Sequence, residues 1–253
     1  MVRGVAGLIG LGLLVTACSG VDGPTGEQVT DRPLIVFAAA SLTDVLGELA
    51  DVFEERTGVP VLLNLAGSQT LATQLVEGAP ADVFLAADRV QMGVVAEAGL
   101  LADAPVVVAT TTLTIVVEAG NPRDVAGLTD LARRDLVVVL PTAQVPAGRY
   151  AREVLANAAV DVRPASLERS VRAALARVAQ GEADASVVYA SDIVAAGDTV
   201  TGIPIPVEQN VVATYPMAVL ADAPRPDAAA AFTAFLTSEA AQAVLRTSGF
   251  RAP

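Results

Sequence analysis

The segment LIVFAAASLTD, residues 34–44, indicates the fold class of this chain. Its first half is a continuous apolar run, which is typical of a strand buried on both faces of a parallel sheet. Its second half predicts a capping box, in which Ser41 caps a helix and Asp44, three residues later, reaches back to the cap. The segment therefore predicts a strand that leads directly into a helix, the unit of α/β folds.

The same order of strand and helix recurs along the chain. Further strands are predicted over residues 59–66, 82–86, 106–117, 136–140, 185–189 and 211–220, with a break at Thr110–Thr112 and an interruption at Tyr215-Pro216. Helices are predicted from Ser41 to Gly58, from Gly67 to Gly78, up to Gly99, over 146–157, 170–180 and 191–196, and twice between 226 and 248. This alternation predicts an α/β fold with mostly parallel sheets flanked by helices.

A new series of strands and helices begins near Leu136, which indicates a second lobe. We predict lobe I over residues 33–110 and 214–253, and lobe II over residues 111–213. The chain would cross between the lobes twice, near Thr110–Thr112 and again near 211–214, and these crossings would act as hinges. The two C-terminal helices are predicted to pack on lobe I.

Residues 1–18 have the features of a lipoprotein signal peptide. Arg3 precedes an apolar run from Val5 to Val15, and the run LVTAC ending at Cys18 resembles a bacterial lipobox, whose cysteine becomes acylated. The alternatives are an ordinary secretory leader with an incidental cysteine, or a buried free thiol. Residues 19–32 are polar and glycine-rich, which predicts a flexible tether. We therefore expect an extracytoplasmic protein, lipid-anchored to the outer face of the cytoplasmic membrane or periplasmic.

Composition excludes several classes of function. The net charge is −12, histidine is absent, and all 16 basic residues are arginine. Without lysine or histidine, a Schiff base cannot form and a serine nucleophile lacks its usual base. Asp44, Asp82, Asp88 and Asp192 lie near strand ends, where capping and turn roles explain them. We predict that the chain is not an enzyme, and the acidic balance argues against nucleic-acid binding.

Ser41 and Ser68 each follow a predicted strand and open a predicted helix. Unpaired amides and the positive end of the helix dipole favour an anion there without any charged side chain. A single serine at such a junction is usually an ordinary N-cap. Two of them at the carboxyl ends of strands in one sheet would face the same crevice, which predicts an anion site.

Five segments, in matching order, resemble the periplasmic molybdate-binding proteins of ABC importers. They are VFAAASL (36–42), GSQTLA (67–72), GAPADVF (78–84), VPAG (145–148) and VYASD (188–192), within a resemblance that extends from about Leu34 to Phe250. The resemblance implies a two-lobed periplasmic-binding-protein fold with two hinge crossings. It also implies a monomer that binds molybdate or tungstate and delivers it to the permease subunits in the membrane.

The resemblance further implies which residues hold the ligand. Hydroxyl and backbone N–H bonds would come from Ser41 and Ser68, backbone N–H bonds from Ala147 and Val171, and a phenol O–H bond from Tyr189. No cofactor is implied, and no residue would ligate a metal cation directly. The residues by themselves leave open that Tyr189 is a core aromatic, because buried tyrosines are common.

Some residues next to the predicted contacts differ from the family pattern or carry a charge. Gly67 and Gln69 flank Ser68 where some relatives carry further serines, and Arg149 and Arg172 stand next to predicted contacts. We predict solvent exposure for both arginines and do not count them as ligands.

A site made only of donors suits a deprotonated dianion, whereas a protonated phosphate would need an acceptor. Sulfate, thiosulfate and ferric iron remain as other solutes, and a surface adhesin as another class.

Overall fold

The computed structural model describes Met1 and residues 32–253 of the chain. Cys18, the predicted signal peptide beyond Met1 and the predicted tether before Arg32 lie outside the described residues. Within residues 32–253 no single helix is both long and apolar enough to cross a membrane. The last two helices would pass such a test only as a pair bent by 60°, and each of them buries one face in the protein.

Nine strands and eight α-helices alternate over residues 32–253. The strands are β1 (Leu34–Ala39), β2 (Val61–Ala66), β3 (Val83–Leu85), β4 (Val106–Glu118), β5 (Val139–Pro141), β6 (Ser166–Glu168), β7 (Ala185–Tyr189), β8 (Val200–Pro204) and β9 (Val212–Val219). The helices are α1 (Thr43–Thr57), α2 (Ser68–Val76), α3 (Arg89–Glu97), α4 (Pro146–Asn157), α5 (Val171–Ala179), α6 (Ala190–Ala196), α7 (Pro226–Leu236) and α8 (Glu239–Thr247). The predicted α/β alternation is therefore confirmed.

The main sheet has seven strands and mixed pairing. Its order is β2-β1-β3-β9-β4-β7, with β8 also paired to β4, while β5 and β6 form a separate two-stranded sheet. Pairing is parallel between β1 and β2, β1 and β3, and β5 and β6. Every pair that involves β4 or β9 is antiparallel. The sheet is thus mixed rather than mostly parallel, because these two long strands run against their neighbours.

Strand β4 connects the two halves of the sheet. Its residues Val106–Thr112 pair with β9, and its residues from Leu113 onward pair with β7 or β8. The predicted break at Thr110–Thr112 is wrong, since the strand continues through these β-branched residues, which favour extended backbone. The change of partner at Thr112–Leu113 nevertheless falls close to the predicted crossing.

The predicted interruption at Tyr215-Pro216 is also wrong, because β9 runs through both residues. The partner strand has a register irregularity between Val107 and Ala109, opposite this pair. Such a bulge accommodates a proline, which has no N–H to give to the ladder.

Local sequence patterns predicted most helix and strand ends correctly. Helix α1 stops at Gly58, which takes the left-handed conformation with φ 69° that glycine adopts most easily. Helix α4 and strand β7 have the predicted bounds. Strands β6 and β8 were not predicted. The first has only three residues, and the second contains a glycine and ends in a proline, so neither carries a clear strand pattern.

Candidate functional site

All five predicted site residues line one cavity. Its walls are Ala39, Ala40, Ser41, Gly67, Ser68, Ala87, Val145, Pro146, Ala147, Ser170, Val171 and Tyr189. The free space inside the cavity is about 10 Å³, roughly that of one water-sized sphere. Pockets for drug-sized ligands occupy roughly 300–1,000 Å³, so this cavity suits a small ion rather than an organic solute of that size.

The starts of four helical segments converge on this cavity. Ser41 lies in the 3-10 turn Ala40–Leu42 that precedes α1, while Ser68 and Val171 are the first residues of α2 and α5. Ala147 is the second residue of α4. Amides in a first turn have no acceptor within their own helix, and the helix dipoles add partial positive charge there. The arrangement therefore offers several neutral N–H donors to an anion.

The capping box predicted for Ser41 and Asp44 is wrong. The helix starts two residues later than expected, at Thr43, and no side chain caps it. Instead, the Thr43 hydroxyl donates to the Ala40 carbonyl over 2.7 Å. The Ser41 hydroxyl is buried and lies 3.1 Å from the phenol oxygen of Tyr215 on β9. The 3-10 turn thus turns the serine away from a capping role while keeping it at the cavity.

Ser68 is not the N-cap of α2 either. Gly67 occupies the cap position, and its carbonyl accepts from the amides of Thr70 and Leu71. The Ser68 hydroxyl oxygen accepts a hydrogen bond of 3.0 Å from the Ala87 amide. An amide can only donate, so this contact occupies a lone pair of Ser68 and leaves its hydroxyl proton available to the cavity.

The segment from Val145 to Gly148 places the Ala147 amide by close packing. Pro146 is the first residue of α4, as predicted, with φ preset for a helix. At Gly148 a Cβ atom would lie well inside van der Waals distance of the Thr142 and Pro141 carbonyl oxygens. Only glycine allows this approach, so Gly148 fixes how close the start of α4 comes to the end of β5. No sequence pattern around this glycine indicated such a role.

Val171 follows a conventional cap. The Ser170 hydroxyl accepts from the Ala173 amide over 3.1 Å, and the Ser170 carbonyl accepts from the Ala174 amide. The Ser170 cap therefore accepts from the Ala173 and Ala174 amides and does not use the Val171 amide at the start of the helix.

Tyr189 ends strand β7 and is only 1% exposed. Its phenol oxygen has no hydrogen-bond partner among the described residues. Burial raises the pKa of the Tyr189 phenol well above its ordinary value, so the group stays protonated and can donate. Its backbone amide is fixed by the Asp192 carboxylate, which accepts it over 3.0 Å. A buried phenol that lines the cavity without a partner is a donor in need of an acceptor.

Arg149 and Arg172 are not simply solvated, contrary to the prediction. Arg149 forms an ion pair with Asp88, and Arg172 forms one with Asp44. Arg172 Nε also lies 3.3 Å from the Ala40 carbonyl oxygen. Neither arginine lines the cavity. Carboxylates therefore hold both guanidinium groups beside the site and compensate their charge.

Gln69, next to the cavity residue Ser68, forms a contact with the segment before α5. Its side-chain amide donates to the Arg169 carbonyl over 3.2 Å, so this residue links α2 to the segment before α5.

Asp192, for which only a capping or turn role was predicted, is a buried acidic group near the cavity. It is 0% exposed, and burial raises its pKa to about 7, opposed by the charge of Arg172 and by the Tyr189 amide. One carboxylate oxygen binds the Tyr189 amide and the other lies 3.4 Å from Arg172 Nε. Neither here nor elsewhere in residues 32–253 are three His, Cys, Asp or Glu side chains grouped to hold a metal ion.

A family model described as bacterial extracellular solute-binding protein matches residues 34–251. The chain belongs to this family. An extracellular solute-binding protein has a binding role rather than a catalytic one, and an extracytoplasmic location follows from the family. The described cavity lies within the matched residues.

Several proteins that are similar to this chain are named as binders of an oxyanion. The molybdate-binding protein ModA of Mycobacterium tuberculosis is 40% identical over 250 residues, which cover 98% of this chain and 94% of that protein. The periplasmic molybdate-binding protein of Azotobacter vinelandii has a TM-score of 0.77 at 22% identity, covering 87% of this chain and 99% of that one. The sulfate-binding protein SubI of M. tuberculosis has a TM-score of 0.75 at 23% identity, covering 87% and 86%. The two structures share the α/β periplasmic-binding-protein fold with this chain.

Proposed function

We propose that this protein is the substrate-binding component of an ABC importer that captures molybdate, and also tungstate, and delivers it to the permease subunits. The observation that carries the proposal is the small cavity at which four helix starts and the unpartnered Tyr189 phenol meet. Near-full-length similarity to a molybdate-binding protein supports the choice of ligand. The protein would catalyse nothing.

The ligand contacts that we propose are all neutral donors. Hydroxyl and amide groups come from Ser41 and Ser68, amides from Ala147 and Val171, and the phenol O–H from Tyr189. Molybdate carries two negative charges and no proton at neutral pH, so every oxygen can accept. Hydrogen phosphate carries a proton for which this donor set has no ready acceptor, and it should bind weakly.

We propose that the ligand joins two lobes, lobe I over 33–110 and 214–253 and lobe II over 111–213. Ser41 and Ser68 belong to lobe I, whereas Ala147, Val171 and Tyr189 belong to lobe II. The change of β4 partners at Thr112–Leu113 supports a hinge near this point. The Arg149–Asp88 and Arg172–Asp44 ion pairs would then link the lobes in the closed state.

Membrane attachment would use Cys18, which lies outside the described residues. Acylation of this cysteine and a tether over 19–32 would hold a monomeric binding domain at the membrane surface near the permease. Mass spectrometry of the protein from a bacterial host checks this attachment. A lipid adduct on the N-terminal cysteine is expected, and it should disappear in Cys18→Ser.

The direct test is isothermal titration calorimetry of the purified protein with molybdate, tungstate, sulfate, thiosulfate and hydrogen phosphate. We expect tight binding of molybdate and tungstate. Hydrogen phosphate should bind at least about 100-fold more weakly, which corresponds to the loss of about two hydrogen bonds. Ser68→Ala should weaken molybdate binding, whereas Thr233→Ala, at a partly exposed position of α7 that does not line the cavity, should not. Absence of heat with every oxyanion would exclude the proposal.

The alternative is another oxyanion, such as sulfate or thiosulfate. The shared fold with the sulfate-binding protein SubI is the observation that keeps it under consideration. A rigid ring of donors spaced for molybdate would leave the smaller sulfate ion with longer and weaker hydrogen bonds. A preference for sulfate or thiosulfate in the same titration would select this alternative.

A further inference from the structure

The hydroxyl oxygen of each cavity serine lies within hydrogen-bond distance of another group of the protein. The Ala87 amide donates to Ser68 Oγ over 3.0 Å, and the Tyr215 phenol lies 3.1 Å from Ser41 Oγ. The first contact has a fixed direction, because an amide N–H cannot accept. The second joins two hydroxyl groups, so its direction must be worked out from the surroundings.

The surroundings of Tyr215 determine that direction. The side chain is 0% exposed, and among the described residues Ser41 Oγ is the hydrogen-bond partner of its phenol. If Ser41 donated to Tyr215, the phenol proton would be buried without an acceptor, which costs free energy. Burial also raises the pKa of Tyr215 well above its ordinary value, so the phenol keeps its proton. The arrangement that satisfies both groups has Tyr215 as the donor.

We infer that Tyr215 is a positioning residue of the oxyanion site, which directs the Ser41 proton to the ligand and thereby selects oxyanions that carry no proton. The inference rests on the proposed function. Tyr215 does not line the cavity and acts through Ser41. Tyr215 occupies one of the two lone pairs of Ser41 Oγ, so a protonated oxyanion that donated to the other would lose the bond from the Ser41 proton that an unprotonated oxygen accepts. Ser68 is oriented in the same way by the Ala87 amide.

The edge-to-face packing of Tyr215 makes a conservative test practicable. Its ring contacts Tyr189 and Phe250, with centroid distances of 5.9 and 5.3 Å. Tyr215→Phe retains these ring contacts and removes only the phenol oxygen. Ser41→Ala removes the serine hydroxyl and retains its amide. The two changes therefore form a double-mutant cycle on one hydrogen bond.

The cycle is measured as the molybdate dissociation constant by calorimetry at pH 7. Tyr215→Phe should raise this constant about tenfold, the equivalent of one buried hydrogen bond, in the otherwise unchanged protein. In the Ser41→Ala background the same change should have an effect below about twofold. Equal effects in both backgrounds would overturn the inference, since they would mean that Tyr215 acts only through packing. Tyr150→Phe is the matched control and should leave the constant unchanged, because Tyr150 on α4 packs its ring edge-on against Tyr189 at 6.4 Å but does not line the cavity.

A second readout concerns selectivity. Competition of hydrogen phosphate with bound molybdate gives the ratio of the hydrogen-phosphate dissociation constant to the molybdate dissociation constant. This ratio should fall about tenfold in Tyr215→Phe, because Tyr215 no longer occupies a lone pair of Ser41 Oγ or directs its proton. An unchanged ratio would contradict the inference. If Tyr215→Phe does not fold, 3-fluorotyrosine at position 215 replaces it, and its stronger donor should tighten molybdate binding. No molybdate binding by the unaltered protein would instead reject the proposed function.

Discussion

Arg149 and Asp88 form an ion pair between the start of α4 and the N-cap of α3, beside the cavity. Arg149 follows Ala147 by two residues, and Asp88 follows Ala87, whose amide orients Ser68. The pair therefore joins the two sides of the cavity next to two of the residues that we propose as ligands. Asp88 is almost completely buried, and its other carboxylate oxygen accepts from the Gln91 amide over 2.8 Å.

Loss of this ion pair should weaken oxyanion binding. Arg149→Gln removes the link and leaves a buried carboxylate uncompensated near an anion, so the molybdate dissociation constant should rise about tenfold, mainly through faster release. Calorimetry and stopped-flow displacement measure the two quantities. Arg133→Gln is the matched control, because Arg133 pairs with Asp135 within one segment at 2.7 Å.

The double variant Arg149→Gln with Asp88→Asn separates the link from the unpaired charge. Asparagine retains an oxygen for the Gln91 amide, so α3 keeps its cap. Its dissociation constant should lie between those of Arg149→Gln and the unaltered protein. Unchanged affinity in Arg149→Gln would show that the pair has no role in closure.

Removal of the Tyr189 hydroxyl should affect stability and binding in opposite directions. The phenol is buried without a partner among the described residues, so Tyr189→Phe should keep the free energy of unfolding without ligand or raise it by about 1 kcal/mol. The same change should raise the molybdate dissociation constant about tenfold or more, because one donor is lost. Urea unfolding and calorimetry measure the two effects. A variant that is less stable and binds normally would contradict the proposed role.

Gly148 should tolerate no side chain. Gly148→Ala would push its Cβ into the Thr142 and Pro141 carbonyls, so we expect a loss of about 2–4 kcal/mol in the free energy of unfolding and impaired molybdate binding. Gly93→Ala, inside α3 and with no atom within 4 Å of the added Cβ, is the control. It should raise stability by about 0.5–1 kcal/mol, since alanine favours a helix over glycine. Equal effects of the two changes in urea unfolding would refute this.

Asp192 should make stability depend on pH between about 4 and about 7. Its pKa is about 7 in the folded protein because the carboxyl is buried, against an ordinary value of 3.8 in the unfolded chain. The folded state therefore binds more protons in this window, and its stability is greatest below pH 4 and falls as the pH rises through 7. The total effect is at most about 4 kcal/mol.

Asp192→Asn isolates this contribution. The asparagine can still accept from the Tyr189 amide but does not titrate, so the stability of the unaltered protein relative to the variant should fall from pH 4 to pH 7. Urea unfolding at several pH values measures the difference. Parallel curves for the two proteins would contradict the prediction.

The sequence predicted the elements that depend on neighbouring residues. The helix end at Gly58, the proline at the start of α4 and the apolar strands β1 and β7 follow from local preferences of backbone and side chains. Two serines after strands were predicted to mark an anion site; the structure brings both to one cavity, although the capping role predicted for Ser41 was wrong. The other candidate ligands came from resemblance, since Ala147 and Val171 would contribute backbone groups that no side chain reveals.

The tertiary structure alone decided how these parts meet. The Ser41–Tyr215 contact spans 174 residues, and the Arg172–Asp44 pair spans 128. Local periodicity contains no information about which distant segments pack together, so the sequence could not assign a partner to Ser41 or to either arginine. The same is true of the mixed sheet, because the antiparallel pairing of β4 and β9 depends on the path of the whole chain. Helix starts follow from neighbouring residues, whereas the direction of a hydroxyl proton in the cavity follows from a partner that only folding brings within reach.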